Sequence, residues 1–84
     1  MAYTIDTSPA ARRQLARLPR DVQPRVSAAI DSLADNPRPP GCLKLHGRGD
    51  QYRIRVGDYR IIYEIQDDIL IVLVVEVGPR DSIY

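Results

Sequence analysis

The sequence has no tryptophan and no phenylalanine, and it holds one histidine and one cysteine. A single thiol, Cys42, cannot close a disulfide within the chain, which fits a reducing compartment and leaves packing alone to hold the core. With His46 as the only histidine, there is no Cys/His spacing of the kind that binds zinc. A glycine-rich phosphate loop and a Ser/His/Asp arrangement are missing as well. The longest apolar run, Ile69 to Val75, is strand-length and far short of the roughly 20 residues of a membrane helix. The opening residues, Met1-Ala2-Tyr3-Thr4-Ile5-Asp6, lack the apolar stretch of a secretory signal. These absences predict a cytoplasmic protein with no metal, no cofactor and no membrane partner.

What is present suits one globular domain, residues 1–84. Hydrophobic residues make up 44% of the chain and charged residues 27%, so disorder is not expected. The net charge of +1 hides an uneven distribution. Residues 1–40 carry six Arg against four Asp. Residues 41–60 carry Lys44, Arg48, Arg53, Arg55 and Arg60 against only Asp50 and Asp58. Residues 61–84 reverse the balance, with Arg80 against Glu64, Asp67, Asp68, Glu76 and Asp81. Eleven of the twelve basic residues are Arg, whose planar guanidinium grips phosphate with two donors at once.

The hydrophobic period changes along the chain. Tyr3 and Ile5 predict a short strand. Ser8-Pro9 reads as a helix cap followed by the first helical position. Ala11, Leu15 and Leu18 keep helical spacing until Pro19. Val22, Val26, Ala29, Ile30 and Leu33 define a second apolar helix face, with Asp21 as the expected cap and Pro24 tolerable near the start. Asn36-Pro37-Arg38-Pro39-Pro40-Gly41 stops that helix as a stiff linker. After it the period is two. Leu43 and Leu45 suggest a short strand, and Tyr52, Ile54 and Val56 alternate with Arg53 and Arg55. Gly57-Asp58 is a two-residue hairpin turn, of type II′ because Gly comes first. Tyr59–Ile65 is the next strand, and Asp67-Asp68 turns into an apolar strand over Ile69–Val77, expected to be central and covered on both faces. The order β-α-α-β-β-β-β predicts an α+β fold: a mainly antiparallel sheet of four to five strands, with an N-terminal helical hairpin packed on one face.

Alternation then places charge. If Tyr52, Ile54 and Val56 face the helices, Arg53 and Arg55 face away as exposed side chains. Arg60 sits across from them on the hairpin partner, also expected to be exposed, with Ile62 and Glu64 on its own face. Arg80, after Gly78-Pro79, completes a cluster of four guanidiniums that repel one another unless an anion compensates. The tyrosines Tyr52, Tyr59 and Tyr63 are expected to pack in the core or at its edge. Glu64 and Glu76 are partners for the arginines, and Asp67-Asp68 serves its turn. Composition and spacing thus lead to an anion-binding α+β domain.

Three segments resemble the RelE/ParE toxin superfamily and together span almost the whole chain. They are Ser8-Pro9-Ala10-Ala11-Arg12-Arg13-Gln14-Leu15 with Leu18-Pro19; Lys44-Leu45-His46-Gly47 with Tyr52-Arg53-Ile54-Arg55-Val56-Gly57-Asp58-Tyr59-Arg60-Ile61-Ile62-Tyr63-Glu64-Ile65; and Val75-Glu76-Val77-Gly78-Pro79-Arg80 with Tyr84. The resemblance implies the toxin of a type II toxin–antitoxin pair. By likeness to the RelE type, it implies an endoribonuclease that cuts messenger RNA in the ribosomal A site without a metal, held in check by a RelB-like antitoxin. The residues matching the RelE catalytic set are Arg53, Arg55, Arg60, Arg80 and Tyr84, and Lys44 and Arg48 would add RNA contacts. Where some members carry Lys, Arg53 and Arg55 carry guanidiniums, which are poor proton donors; this implies an electrostatic role for them. The ParE type shares the scaffold, inhibits DNA gyrase and is the alternative.

Overall fold

The computed structural model describes residues 2–47 and 49–79. Five strands and two helices alternate along it: β1 (Thr4–Thr7), α1 (Pro9–Ala16), α2 (Gln23–Ser32), β2 (Leu43–Lys44), β3 (Gln51–Val56), β4 (Tyr59–Gln66) and β5 (Ile71–Pro79). In space the strands run β1-β5-β4-β3-β2. Only the β1–β5 pair is parallel; β2 through β5 form an antiparallel meander. The crossover connection that a parallel pair requires is supplied here by the long excursion through both helices and three strands.

Ser8 starts α1 as the sequence predicts. Its hydroxyl accepts from the Ala11 amide at 3.0 Å and donates to the Val75 carbonyl at 3.0 Å, so one side chain both caps the helix and ties it to β5. Pro9 at the first helical position costs nothing, because that amide has no partner inside the helix. The start of α2 differs from expectation. Its cap position is Val22, in helical geometry and without a side-chain bond. A turn from Pro19, whose carbonyl accepts from Val22 and Gln23, leads straight into the helix and makes an Asp21 cap unnecessary.

The two-residue turn of the β3–β4 hairpin has Gly57 at φ 59°, while Asp58 keeps negative φ, in line with type II′. The last strand begins two residues later than its apolar run suggests. Ile69 is 57% exposed, and Leu70 adopts left-handed φ 56°, so both belong to the turn after β4. Strand β5 is central, between β1 and β4. Only one of its faces is sealed among the described residues: Val72, Val74 and Val77 are buried, whereas Ile71, Leu73 and Val75 are half-buried.

The core lies between helices and sheet. Ala11, Leu18, Val26, Ile30 and Leu33 pack against Ile54, Ile61, Tyr63, Ile65, Val72, Val74 and Val77; each large aliphatic contributes about 1.5–3 kcal/mol. The linker between α2 and β2 is fastened at two points. The buried Tyr63 hydroxyl donates to the Pro37 carbonyl at 2.7 Å. Arg38 grips Asp67 with both terminal nitrogens, at 2.9 and 3.3 Å, while its Nε donates to the Tyr52 hydroxyl at 3.3 Å. Tyr3 completes the clasp by donating to Asp67 at 2.6 Å. Asp67 therefore does more than serve a turn: it joins β1, the linker and β4.

Candidate functional site

The face of the sheet away from the helices carries the charge. Strand register arranges it in rows, since residues paired across strands share a face. Arg55 pairs with Arg60, which pairs with Gly78. The next row runs Leu43, Arg53, Ile62, Glu76. The third holds Gln51, Glu64 and Leu73, with Asp6 of β1 at its end. Positive charge is thus concentrated at the hairpin end of the face, and negative charge lies toward the opposite end. Arg53, Arg55 and Arg60 stand on one face as their alternation predicts.

Exposure departs from expectation at one of them. Arg60 is 8% exposed and is the one buried charged residue among those described. Strand β4 is flanked on both sides, by β3 and β5, so its outward side chains have less access to water than those nearer the sheet edge. Arg53 is half-buried and Arg55 exposed. All three interact with the rest of the chain, and the Nε of Arg53 and of Arg60 is shielded from water without a hydrogen bond.

Lys44 is not brought to this cluster. It pairs with Tyr52, a residue packed against the core, so it belongs to the helix side of the sheet, at its edge. Leu43, 52% exposed, takes the place beside Arg53 instead. Arg48, Arg80 and Tyr84 lie outside the described residues. His46 is exposed in the turn after β2, away from the rows.

The tertiary structure adds two residues that sequence reasoning passed over. Strand β5 runs beyond the end of β1, whose last paired residue, Thr7, faces Val74. The backbone edge left open there is closed by α1: Gln14 Oε1 accepts from the Val77 amide at 2.7 Å. Beside this contact is a cavity of about 370 Å³, lined by Gln14, Arg17, Pro19, Tyr59, Glu76 and Pro79 among others. It lies against Gly78, the cross-strand partner of Arg60. Arg17, the C-cap residue of α1, is one of five exposed arginines between residues 12 and 25 that make no ion pair among the described residues. The signal in the sequence was the basic density of that stretch; its closeness to the strand end was not readable there.

The chemistry open to this arrangement is anion stabilisation. Guanidiniums held in place on a rigid sheet are preorganised donors, which stabilise charge that develops in a transition state more than charge already present.

Comparison with known proteins is consistent across sequence and fold. A family model described as the ParE toxin of type II toxin–antitoxin systems matches residues 5–84. The mRNA interferase toxin RelE of Escherichia coli is 29% identical, over 96% of this chain and 86% of that protein. Toxin RelG of Mycobacterium tuberculosis is 34% identical, over 100% and 98%. Among solved structures, the archaeal RelE–RelB complex from Pyrococcus horikoshii superposes with a TM-score of 0.84 at 30% identity, covering 98% of this chain and 99% of that one.

Proposed function

Because the chain belongs to the ParE/RelE toxin family of type II toxin–antitoxin systems, we propose that it is a cytoplasmic endoribonuclease that cuts messenger RNA on the ribosome. One observation carries this reading: Arg53, Arg55 and Arg60 share adjacent rows at one end of the open sheet face, where an extended phosphate chain can lie across them. Arg80 follows Pro79 at the end of β5, and Tyr84 comes four residues further on; by their place in the sequence both join this set. A relative named as an mRNA interferase supports the same chemistry.

In the proposed reaction a ribose 2′-oxygen attacks the adjacent phosphorus while its proton passes to a base or to water, with Tyr84 orienting the hydroxyl. The bond from phosphorus to the 5′-oxygen breaks, and the leaving oxygen takes a proton from water. The products are a 2′,3′-cyclic or 3′-phosphate end and a 5′-hydroxyl. Negative charge grows on the phosphoryl oxygens along this path. Arg60 and Arg80 stabilise it, while Arg53 and Arg55 hold the flanking phosphates. Guanidiniums supply the positive charge that a divalent ion supplies in other nucleases, so no metal is required. A tyrosine with an ordinary pKa of about 10 is a poor base alone, so the proposed role of Tyr84 is to orient the 2′-hydroxyl.

The test is purified protein added to programmed ribosomes, with mapping of the new messenger ends. Cuts within the A-site codon, made equally by protein stripped of bound metal with EDTA before the assay and lost in Arg60→Ala, are expected. Tyr84→Phe and Tyr84→Ala separate the hydroxyl from the ring: both lose activity if the hydroxyl handles the proton, whereas the Phe variant keeps most of it if stacking dominates. The second reading is gyrase inhibition, favoured by the ParE description of the matching family model. A supercoiling assay run in parallel decides between them, and inhibited gyrase with intact messenger would overturn the ribonuclease reading.

The partner proposed is an antitoxin encoded beside the gene, as the RelE–RelB complex among the structural relatives suggests. Its amphipathic segment would cover the half-buried Leu73 and Val75 on the open face and meet the neighbouring arginines with acidic side chains. Co-expression with the adjacent reading frame is expected to yield a stable complex and relieve toxicity.

A further inference from the structure

One stripe of α1 is laid along β5, formed by Ser8 at the cap, Ala11 and Gln14. Residues three apart on a helix share a face, so all three meet the same strand. Ala11 is fully buried, and its small side chain lets the helix come close. On either side of it the stripe bonds the backbone of the strand. The Ser8 hydroxyl donates to the Val75 carbonyl at 3.0 Å, and Gln14 Oε1 accepts from the Val77 amide at 2.7 Å.

These bonds stand in for a strand that has ended. The partner strand β1 accompanies β5 only as far as Thr7, opposite Val74. The next residue after Val77 on that edge, Pro79, has no N–H to offer. Val77 is therefore the last donor by which the outer edge of β5 is held among the described residues. A strand end held from one side frays, because few bonds oppose its opening. The neighbouring cavity, lined in part by Gln14, Val77, Gly78 and Pro79, gives water a path to this amide once Gln14 is lost.

The segment pinned in this way leads into the proposed chemistry. Val77 pairs with Ile61 and Gly78 with Arg60, and Arg80 directly follows Pro79 in the sequence. Where β5 ends therefore sets where the Arg80 guanidinium can reach. Gln14 lies on the helix side of the sheet and the arginines on the open side, so the backbone of β5 is what connects them. We propose that Gln14 is a positioning residue for cleavage: by holding the Val77 amide it fixes the end of β5, and through it the placement of Arg80 relative to Arg60. Gln14 itself touches no substrate and moves no proton. The inference rests on the ribonuclease reading and goes beyond it by naming a residue outside the arginine set on which the rate depends.

The experiment compares wild type, Gln14→Met, Gln14→Glu and Arg80→Ala in single-turnover cleavage on programmed ribosomes, with exchange of the Val77 amide followed by NMR. Methionine keeps the length and helix propensity of glutamine but lacks the amide oxygen, whereas glutamate keeps an acceptor. Gln14→Met is expected to open the Val77 amide to exchange. It should also lower the saturated cleavage rate by about tenfold or more with ribosome affinity unchanged, since a small misplacement of a catalytic group costs up to about 100-fold. Gln14→Glu should keep Val77 protected and restore most of that rate. Gln14→Met combined with Arg80→Ala should be no slower than Arg80→Ala alone, because a residue that acts through Arg80 then has nothing to position. A contact that serves stability only would slow the double variant further. Melting curves come first, and Gln14→Ala replaces Gln14→Met if the latter is unfolded at the assay temperature. A wild-type rate in the folded Met or Ala variant, a Glu variant equally slow, or additive losses in the double variant overturn the inference and leave the ribonuclease reading intact. Messenger left uncut by wild type, or cut at the full rate by Arg80→Ala, overturns the reading of the site and this inference together.

Discussion

Arg55 and Arg60 stand directly opposite each other across the β3–β4 ladder, yet the first is exposed and the second is 8% exposed. Like charges placed directly across a ladder are unfavourable, and a buried charged side chain depends on its surroundings. Two arginines of the same proposed site should therefore respond differently to substitution. Arg55→Gln is expected to change stability by less than about 0.5 kcal/mol, as for an exposed position, while weakening cleavage. Arg60→Ala should lower cleavage by about a hundredfold or more, as for removal of one preorganised donor. It should also cost about 1–3 kcal/mol of stability, because its stem is packed. Urea denaturation of both variants beside the ribosomal assay checks the contrast; equal stability effects would contradict the burial argument.

The buried Tyr63 hydroxyl has one described acceptor, the Pro37 carbonyl at 2.7 Å. Tyr63→Phe keeps the ring, which stacks with Tyr52 at 6.1 Å between centroids, and leaves that carbonyl without its donor. The expected loss is about 1–2 kcal/mol, or a drop of roughly 4–16 °C in Tm for a domain of this size. Burial, reinforced by Cys42 nearby, also pushes the phenol above its ordinary value. With the folded pKa raised, the stability linked to this group is complete below about pH 10 and falls as pH rises beyond it. Ultraviolet titration should show Tyr63 ionising only as the protein unfolds.

Arg38 and Tyr3 both stabilise the Asp67 carboxylate and hold its pKa below the ordinary value. A depressed folded pKa means that the contribution is present above about pH 3.9, the unfolded value, and is lost as pH falls through the folded one. The Tm difference between wild type and Asp67→Asn should therefore shrink from pH 7 to pH 2. The pair is exposed, with 44% and 55% of the side chains accessible, so added salt should narrow the difference at pH 7 as well. A gap that widens on acidification would show that the clasp works by something other than charge.

Gly57 has φ 59° at the turn between the two arginine-bearing strands, and a Cβ there would lie 2.8 Å from Arg25 Nη2. That guanidinium is the far end of a flexible side chain and can move aside, so backbone strain dominates. Gly57→Ala is expected to cost about 1–2 kcal/mol, with a lower Tm and cleavage retained once folded below the new midpoint.

The local signals in this sequence had local causes. Ser8-Pro9 caps α1 whatever packs on it, and strict alternation puts Arg53 and Arg55 on one face because strand side chains have a period of two. The apolar run in β5 marks a central strand because only a flanked strand can bury so much. Where the run begins was not readable, since Ile69 and Leu70 are as apolar as the residues of the strand and only the turn geometry sets them apart.

Features that depend on partners distant in sequence were decided by the tertiary structure. Lys44 falls on the helix side because β2 pairs for only two residues, in the register Lys44↔Tyr52, and a shift of one residue would have turned it to the arginine face. Arg60 is buried because β4 is flanked by β3 and β5, which no property of residue 60 or its neighbours expresses. Asp67 reads as a turn residue, and it becomes a clasp only when β1 and the linker converge on it. Gln14 and Arg17 reach the end of β5 because that strand outruns β1 and leaves an edge that the helix must close. Period and capping are written within a few residues, whereas register, burial and the closing of an open edge depend on which segments meet, and that is settled by the free energy of the whole fold.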